Sequence, residues 1–269
     1  MNEIQRNIQV EAAKHSEPLF LSPPWLQGGH TIEKANGTIT YVQQGGEIFG
    51  ITCAHVYYQQ FASEPHKWLT IHGKERYIYQ FGTFTQNGYK SHFRPLRMPK
   101  SDNGPDIAIV KLDDAFKKIH FERKGKAAID LDNWTEPNWI ELRTPVAFGF
   151  PTEHKSEADG FLQCPLAAVV AELTRPISIS DDSFLMASSL ERENTFYFSG
   201  MSGGAVYCML DSERPIELIG IVFEGFPGSS AEWQSRPNGC FLTANDIQIR
   251  AHVITPDIFQ TWLGIAGFR

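Results

Sequence analysis

The apolar positions of this chain fall in short runs broken by turn residues, and the runs alternate with no long helical pattern. Gly37-Thr-Ile-Thr-Tyr-Val-Gln43 and Ile48-Phe-Gly-Ile-Thr52 are rich in β-branched and aromatic residues and flank Gly45-Gly46. They read as two strands of a hairpin. Further strand-like runs cover 68–72, 77–84, 107–112, 140–150, 160–173, 183–190, 195–198, 205–210, 217–224 and 240–242. Gly, Pro, Asn or Asp residues separate them, which predicts an all-β sandwich or barrel instead of a βαβ sheet. Residues 1–35 read as a polar lead-in, with Ile4, Ile8 and Ala12 on one face of a short helix and Pro23-Pro24 and Gly28-Gly29 marking a turn. One helix is expected near the end. Thr255 is a good N-cap, Pro256 follows it, and Ile258, Phe259, Trp262 and Leu263 recur at helical spacing. The stretch 117–138 has mixed charge and weak periodicity, and it divides two β-rich halves.

Composition narrows the function classes. The 269 residues are 42% hydrophobic and 20% charged, with 22 glycines and 16 prolines, which suits a folded chain able to bury a sizeable core. A net charge of −7 and a pI near 5.7 argue against a nucleic-acid partner, which needs a basic face. Lys117-Lys118 and Lys124-Gly-Lys126 are interrupted by Glu122 and read as a solvated loop. Cys53, Cys164, Cys208 and Cys240 form neither a CxxC pair nor a zinc-ligand spacing, so free thiols and no metal are expected. The opening Met-Asn-Glu-Ile-Gln-Arg lacks a secretory layout, and no run reaches the roughly 18 apolar residues of a membrane span. A soluble, cytoplasmic protein with no membrane partner is the expectation.

Three segments carry candidate chemistry. In Ser199-Gly-Met-Ser-Gly-Gly-Ala205 the glycines let the backbone turn sharply around Ser202 and aim amide N–H groups inward. A serine hydroxyl needs a nearby base, and its attack needs donors for the developing oxyanion. The N–H groups of Gly200 and Ser202 are the natural donors. In Gly50-Ile-Thr-Cys-Ala-His-Val56 a strand runs into His55, and in Gly104-Pro-Asp-Ile-Ala-Ile-Val-Lys-Leu112 Asp106 stands directly before an apolar strand. Taken singly, each segment has a plainer meaning: a Gly/Ser turn, a structural histidine, a strand-capping aspartate. Asp106 drawn inward would instead accept from the His55 imidazole and fix its tautomer.

Together, in the order His, Asp, Ser, these segments resemble the chymotrypsin-like serine proteases, including their bacterial HtrA-type branch, over roughly residues 36 to 265. The hairpin leading to His55, Asp106-Ile-Ala-Ile-Val-Lys-Leu112, Gly200-Met-Ser-Gly-Gly204 and Leu218-Ile-Gly-Ile-Val-Phe-Glu-Gly225 all match family segments. The resemblance implies an all-β fold of two six-stranded antiparallel β-barrels with the active site between them, plus a C-terminal helix. It places the first barrel at 36–125 and the second at 126–269. It also implies a serine endopeptidase in which His55, Asp106 and Ser202 are catalytic, Gly200 and Ser202 form the oxyanion hole, and no cofactor is used. The substrate is then a protein or peptide.

Some positions depart from the family. Met201 replaces the aspartate with which zymogen-activated members grip a new N-terminus, and Val56 replaces a cysteine. By the same resemblance Phe196 lies at the base of the specificity pocket, while Phe223, Glu224 and Gly225 edge the groove. Phe196 is no acid, so a preference for Arg or Lys is not implied there. Phe223 stands where many members carry a serine that hydrogen-bonds near the aspartate. Residues 227–238 read as an extra loop beside the pocket. The absent zymogen aspartate suggests a regulated enzyme that acts with a dedicated protein partner. Two readings compete: an α/β-hydrolase esterase, because Gly200-Met-Ser-Gly-Gly also satisfies G-x-S-x-G, and a catalytically silent binding module on the protease fold.

Overall fold

In the computed structural model, which describes residues 3–22, 33–62, 68–72, 78–86, 88–99, 101, 103–158, 161–191, 197–209, 216–227 and 245–269, the chain enters through helix α1 (Glu3–Lys14) and strand β1 (Ser16–Ser22). Gly45 and Gly46 take φ of 61° and 75°, a left-handed pair suited to a tight hairpin turn, and join β2 (Glu33–Gln44) to β3 (Glu47–Thr52). Helix α2 (Ala54–Ala62) follows. Next come β4 (Trp68–His72), β5 (Ile78–Gln80), a ribbon of β6 (Gly82–Thr85) and β7 (Gly88–Ser91), then β8 (Arg94–Pro95) and β9 (Ala108–Lys111). The first sheet runs β5-β4-β1-β2-β3-β9-β8, with β10 (Ile129–Asp130) added in parallel to β2.

The second sheet is built from β11 (Val146–Gly149), β14 (Ala167–Val170), β15 (Glu172–Leu173), β16 (Ser183–Ser189), β17 (Ala205–Cys208), β18 (Glu217–Phe226) and β19 (Asp246–Val253). Its order is β14-β11-β17-β18-β19-β16-β15, and every pairing in it is antiparallel. A second ribbon, β12 (Ser156–Ala158) with β13 (Phe161–Gln163), stands apart. The two sheets make a double-barrel fold. Among the described residues they hold eight and seven strands, not six each, because two-residue pieces such as β8, β10 and β15 extend them. A strand, β17, follows Ser202 where an α/β-hydrolase elbow requires a helix, so that alternative fails. No helix of the described residues is long and apolar enough to cross a membrane.

Several elements differ from the sequence expectation. Residues 16–22, read as lead-in, form a strand between β2 and β4 that buries Leu19, Phe20 and Leu21. Pro18 masks this in sequence, since proline usually marks an edge or a break. Strand β19 alternates cleanly, with Ile247, Ile249, Ala251 and Val253 buried, and was overlooked. The run 140–150 is strand only at Val146–Gly149. Residues 197–198 are not strand, and 195–196 and 240–242 lie outside the described residues. Just before 117–138, Asp113 caps a helical turn, α3 (Asp114–Phe116), by accepting from the Phe116 N–H at 2.7 Å, and the helical backbone continues through Lys117–Glu122.

Each barrel has its own core, and a third cluster fills the seam behind them. There Ile8 and Ala12 of α1 meet Phe49, Phe148, Tyr207 and the terminal helix α4 (Pro256–Ile265). Thr255 caps α4, its Oγ1 accepting from the Ile258 N–H at 3.2 Å, and Phe259, Trp262 and Leu263 point inward as their spacing predicts. Burial of each such side chain contributes about 1.5–3 kcal/mol.

One end of the first barrel holds a buried ionic cluster. Glu17 is 3% exposed, accepts from Tyr41 Oη at 2.7 Å, meets His120 Nδ1 at 3.2 Å and is ion-paired to Lys124. Burial alone would raise its carboxyl. The His120 hydrogen bond and the charges of Lys124 and Lys126 outweigh that and bring it down to about 2. A carboxyl depressed on folding stabilises fully above its ordinary value of 4.5, and the contribution is lost as pH falls through the folded value. Glu17→Gln should therefore cost about 3 kcal/mol at neutral pH, by leaving buried cations uncompensated. Urea midpoints of the two proteins should converge as pH is lowered from 4.5 toward 2.

Candidate active site

Strand β3 delivers His55 to the seam between the barrels. The strand ends at Thr52, whose Oγ1 donates to the Thr38 carbonyl at 2.8 Å, and Cys53 Sγ donates to the Val222 carbonyl of β18 at 3.1 Å. These two bonds pin the start of α2, and His55 stands in its first turn with 37% of its side chain exposed. Asp106, directly before β9, is 5% exposed. Its Oδ2 lies 2.7 Å from His55 Nδ1, and its Oδ1 accepts from the His55 backbone N–H at 3.0 Å. A carboxylate only accepts, so Nδ1 carries a proton, and in the neutral imidazole the lone pair is therefore on Nε2.

Two residues that were not anticipated complete the surroundings of Asp106. Arg97 Nη2 lies 2.9 Å from Oδ2. The Asp106 backbone N–H donates to His252 Nε2 at 2.9 Å, and the His252 ring stacks on Phe223 with centroids 4.3 Å apart. Burial alone would raise the Asp106 carboxyl. Hydrogen bonds from His55 and the charges of His55 and Arg97 outweigh it and hold the group below its ordinary value. Burial lowers His252 to about 4, only partly opposed by a hydrogen bond to the Asp182 backbone, so it stays a neutral acceptor. His252 sits at a polar position of the alternating run 246–253, a signal available in sequence. Arg97 lies in a polar loop that offers none.

Ser202 lies on the turn 198–204, and this turn is gripped from both sides. Thr38 N–H donates to the Ser202 carbonyl at 2.8 Å, Thr38 Oγ1 to the Gly200 carbonyl at 2.9 Å, and Thr40 Oγ1 to the Gly203 carbonyl at 2.8 Å, all from β2 of the opposite barrel. The Gly203 N–H donates to the same Val222 carbonyl that holds Cys53, which ties the serine turn to the segment carrying His55. Gly200 and Gly203 adopt φ of 95° and 90°. A Cβ on Gly203 would stand 2.1 Å from the Thr38 carbonyl, and one on Gly200 2.6 Å from Thr152 Oγ1, so glycine is required twice. The Ser199 carbonyl accepts from Thr152 N–H at 2.7 Å, and peptide planarity then turns the Gly200 N–H the other way. Among the described residues neither that N–H nor the Ser202 N–H has an acceptor.

The structure thus joins His55 to Asp106 directly and brings Ser202 to the same seam. It does not hydrogen-bond Ser202 to His55: among the described residues, Ser202 Oγ has its contact with the Phe223 carbonyl at 3.5 Å. Phe223 also packs against the first barrel's core. Glu224 pairs with Arg250 at 3.0 Å, but both are more than half exposed, and such a pair contributes at most about 1 kcal/mol. A Cβ on Gly225 would meet Phe198 Cβ at 2.5 Å, so this glycine permits close packing there. Phe196 and residues 228–238 lie outside the described residues. Met201 is fully buried in the second barrel's core.

Cys53, His55 and Asp106 offer ligand atoms within 4.8 Å of one another. Their chemistry suits a hydrogen-bonded chain better than a cation site. Burial and the Asp106 charge push the Cys53 thiol well above its ordinary value, so it is no thiolate, and the Arg97 charge already occupies Oδ2.

No family model matches the chain, and no curated protein matches it in sequence. The crystal structure of a thermostable serine protease from an extremophilic microorganism is similar, with a TM-score of 0.50 and 11% identity over 96% of this chain and 100% of that one. The likeness is one of fold. It places this double barrel among the serine-protease folds.

The buried neutral His252 makes stability pH-dependent. Its folded value of about 4 lies below the ordinary 6.5, so the unfolded chain takes the proton first and stability falls as pH drops from 6.5 to about 4. His252→Gln, which still offers an acceptor to Asp106, should lose less stability over that window in denaturant titrations.

Proposed function

We propose that this protein is a serine endopeptidase in which His55, Asp106 and Ser202 act as the triad. The observation that carries the proposal is the 2.7 Å bond from His55 Nδ1 to a buried, ionised Asp106, on the seam that also holds Ser202 on its glycine turn. Rotation about the Ser202 Cα–Cβ bond moves Oγ from the Phe223 carbonyl toward His55 Nε2. His55 takes the hydroxyl proton as Oγ attacks the scissile carbonyl. Asp106 stabilises the imidazolium, and the free N–H groups of Gly200 and Ser202 receive the oxyanion. His55 then returns the proton to the departing amine, leaving an acyl-enzyme that water hydrolyses by the same steps in reverse.

The substrate has a place to lie. Strand β18 pairs with β17 only up to Ile221, whereas Glu224 and Gly225 pair with β19 and, among the described residues, not with β17. A polypeptide can add to the other edge as an antiparallel strand, its backbone read by main-chain bonds. The contact of Ser202 Oγ with Phe223 in place of His55 supports regulation by a protein partner or by the substrate itself, either of which would bring the hydroxyl to its base. Assignment to the HtrA-type branch rests only on Met201 and Val56.

A fluorophosphonate probe tests the proposal. Ser202 should be labelled in the wild type and not in Ser202→Ala, and His55→Ala should slow labelling by about 10⁴-fold or more. A peptide-library digest against Ser202→Ala then gives the cleavage preference. If the folded wild type resists the probe even with candidate partners present, the protein is a silent binder on a protease fold.

A further inference from the structure

We propose that Arg97 is a positioning residue for Asp106, supplying the donor that the Phe223 side chain cannot and muting the carboxylate's charge as seen by His55. This rests on the triad assignment above. The Asp106 carboxylate receives His55 Nδ1 and Arg97 on Oδ2, and the His55 N–H on Oδ1. His252, which accepts from the Asp106 backbone N–H through Nε2, stacks on the Phe223 ring, so neither that nitrogen nor that ring offers the carboxylate a donor. Among the described residues, Arg97 is therefore the charged donor to this carboxylate besides His55.

Arg97 is built into place. The neighbouring Leu96 N–H donates to the Ile107 carbonyl at 2.8 Å, one residue from Asp106, and Tyr58 Oη donates to the Arg97 carbonyl at 2.9 Å. Tyr58 and His55 lie on the same short helix, one turn apart, so α2 fixes the imidazole and the loop that carries the guanidinium together. The side chain of Arg97 is 28% exposed, which leaves its charge partly screened but effective at this distance.

The groups facing Asp106 are Cys53 from the end of β3, His55 from α2, Arg97 from the loop before β9, and His252 from β19 with Asp182 behind it. Of these, Cys53 and His252 are held neutral, so Arg97 supplies the fixed positive charge. Its removal favours the imidazolium, and activity must then be lost at a higher pH on the acid side.

Arg97→Gln and Arg97→Met should move the acid limb of kcat/KM upward by about half a pH unit to one unit. They should lower kcat roughly 10- to 100-fold with little change in KM, because Asp106 is no longer held in register. Arg97→Lys keeps the charge without the planar fork, so it should restore the limb to its wild-type position while recovering kcat only in part. Tyr58→Phe, a milder change, should shift the limb in the same direction by less, and it serves if the Arg97 variants unfold.

The imidazole carbon signals of His55, followed by NMR against pH in Ser202→Ala and in Ser202→Ala/Arg97→Gln, read the same effect without catalysis. The midpoint should be higher when Arg97 is absent. An unmoved midpoint and an unmoved limb would overturn the role of Arg97 while the peptidase assignment stands. A shifted midpoint in a protein that the fluorophosphonate never labels would keep the role of Arg97 and end the peptidase assignment.

Discussion

The candidate site depends on hydrogen bonds that cross from one barrel to the other. Three carbonyls of the serine turn, those of Gly200, Ser202 and Gly203, accept from Thr38 and Thr40 of β2. These donors and acceptors are buried, so breaking any one pair leaves a polar group dry, which costs more than the bond itself contributes. The turn therefore has little freedom to relax away from β2. Because β2 and β3 form one hairpin, the same strand pair that grips Ser202 also delivers His55. The placement of Ser202 relative to His55 is set by backbone pairing within the first sheet and by threonines across the seam, not by side-chain packing alone.

Around Asp106 the protein meets the desolvation problem of a buried carboxylate with donors from several elements. The consequence is electrostatic as well as geometric. Oδ2 is shared by a guanidinium and the imidazole, which sets a fixed positive charge beside the carboxylate. His252 serves differently: it accepts from the backbone of Asp106, so it steadies the residue's main chain and leaves the carboxylate charge alone.

Sequence carried the strand pairing of Gly37 to Thr52, the capped terminal helix, and the three segments bearing His55, Asp106 and Ser202. These were legible because each combines a local physical requirement with a short motif: a glycine pair for a left-handed turn, a Thr-Pro helix start, glycines packed against backbone. What escaped was non-local. Strand β1 contains Pro18 and is recognisable as a strand only from its partners on both sides. Thr38 and Thr40 read as ordinary strand residues, because nothing near them announces that their hydroxyls face another barrel. Arg97 lies in an irregular loop whose path is set by Tyr58 and Ile107, neither of which is adjacent in sequence. Met201 shows the opposite situation. Its departure from the resembled family was visible, and its burial among apolar neighbours explains why no ion pair is formed there.

Among the described residues, two buried carboxylates are surrounded by cations and histidines, and comparing them separates structure from chemistry. Glu17 is enclosed: Tyr41 and His120 are fully buried beside it and Lys124 is nearly so. Tyr41, His120 and Lys124 each turn a polar atom to that carboxylate. Asp106 is as well buried, but its histidine is 37% exposed and turns one ring nitrogen away from the carboxylate toward the seam. The first arrangement ties β1, β2 and the segment after α3 together. The second leaves an imidazole, hydrogen-bonded to a buried carboxylate, partly exposed at the seam that also holds Ser202. What distinguishes the site is therefore not the strength of its ion pairing but the exposure of its imidazole, 37% against a fully buried His120 at Glu17.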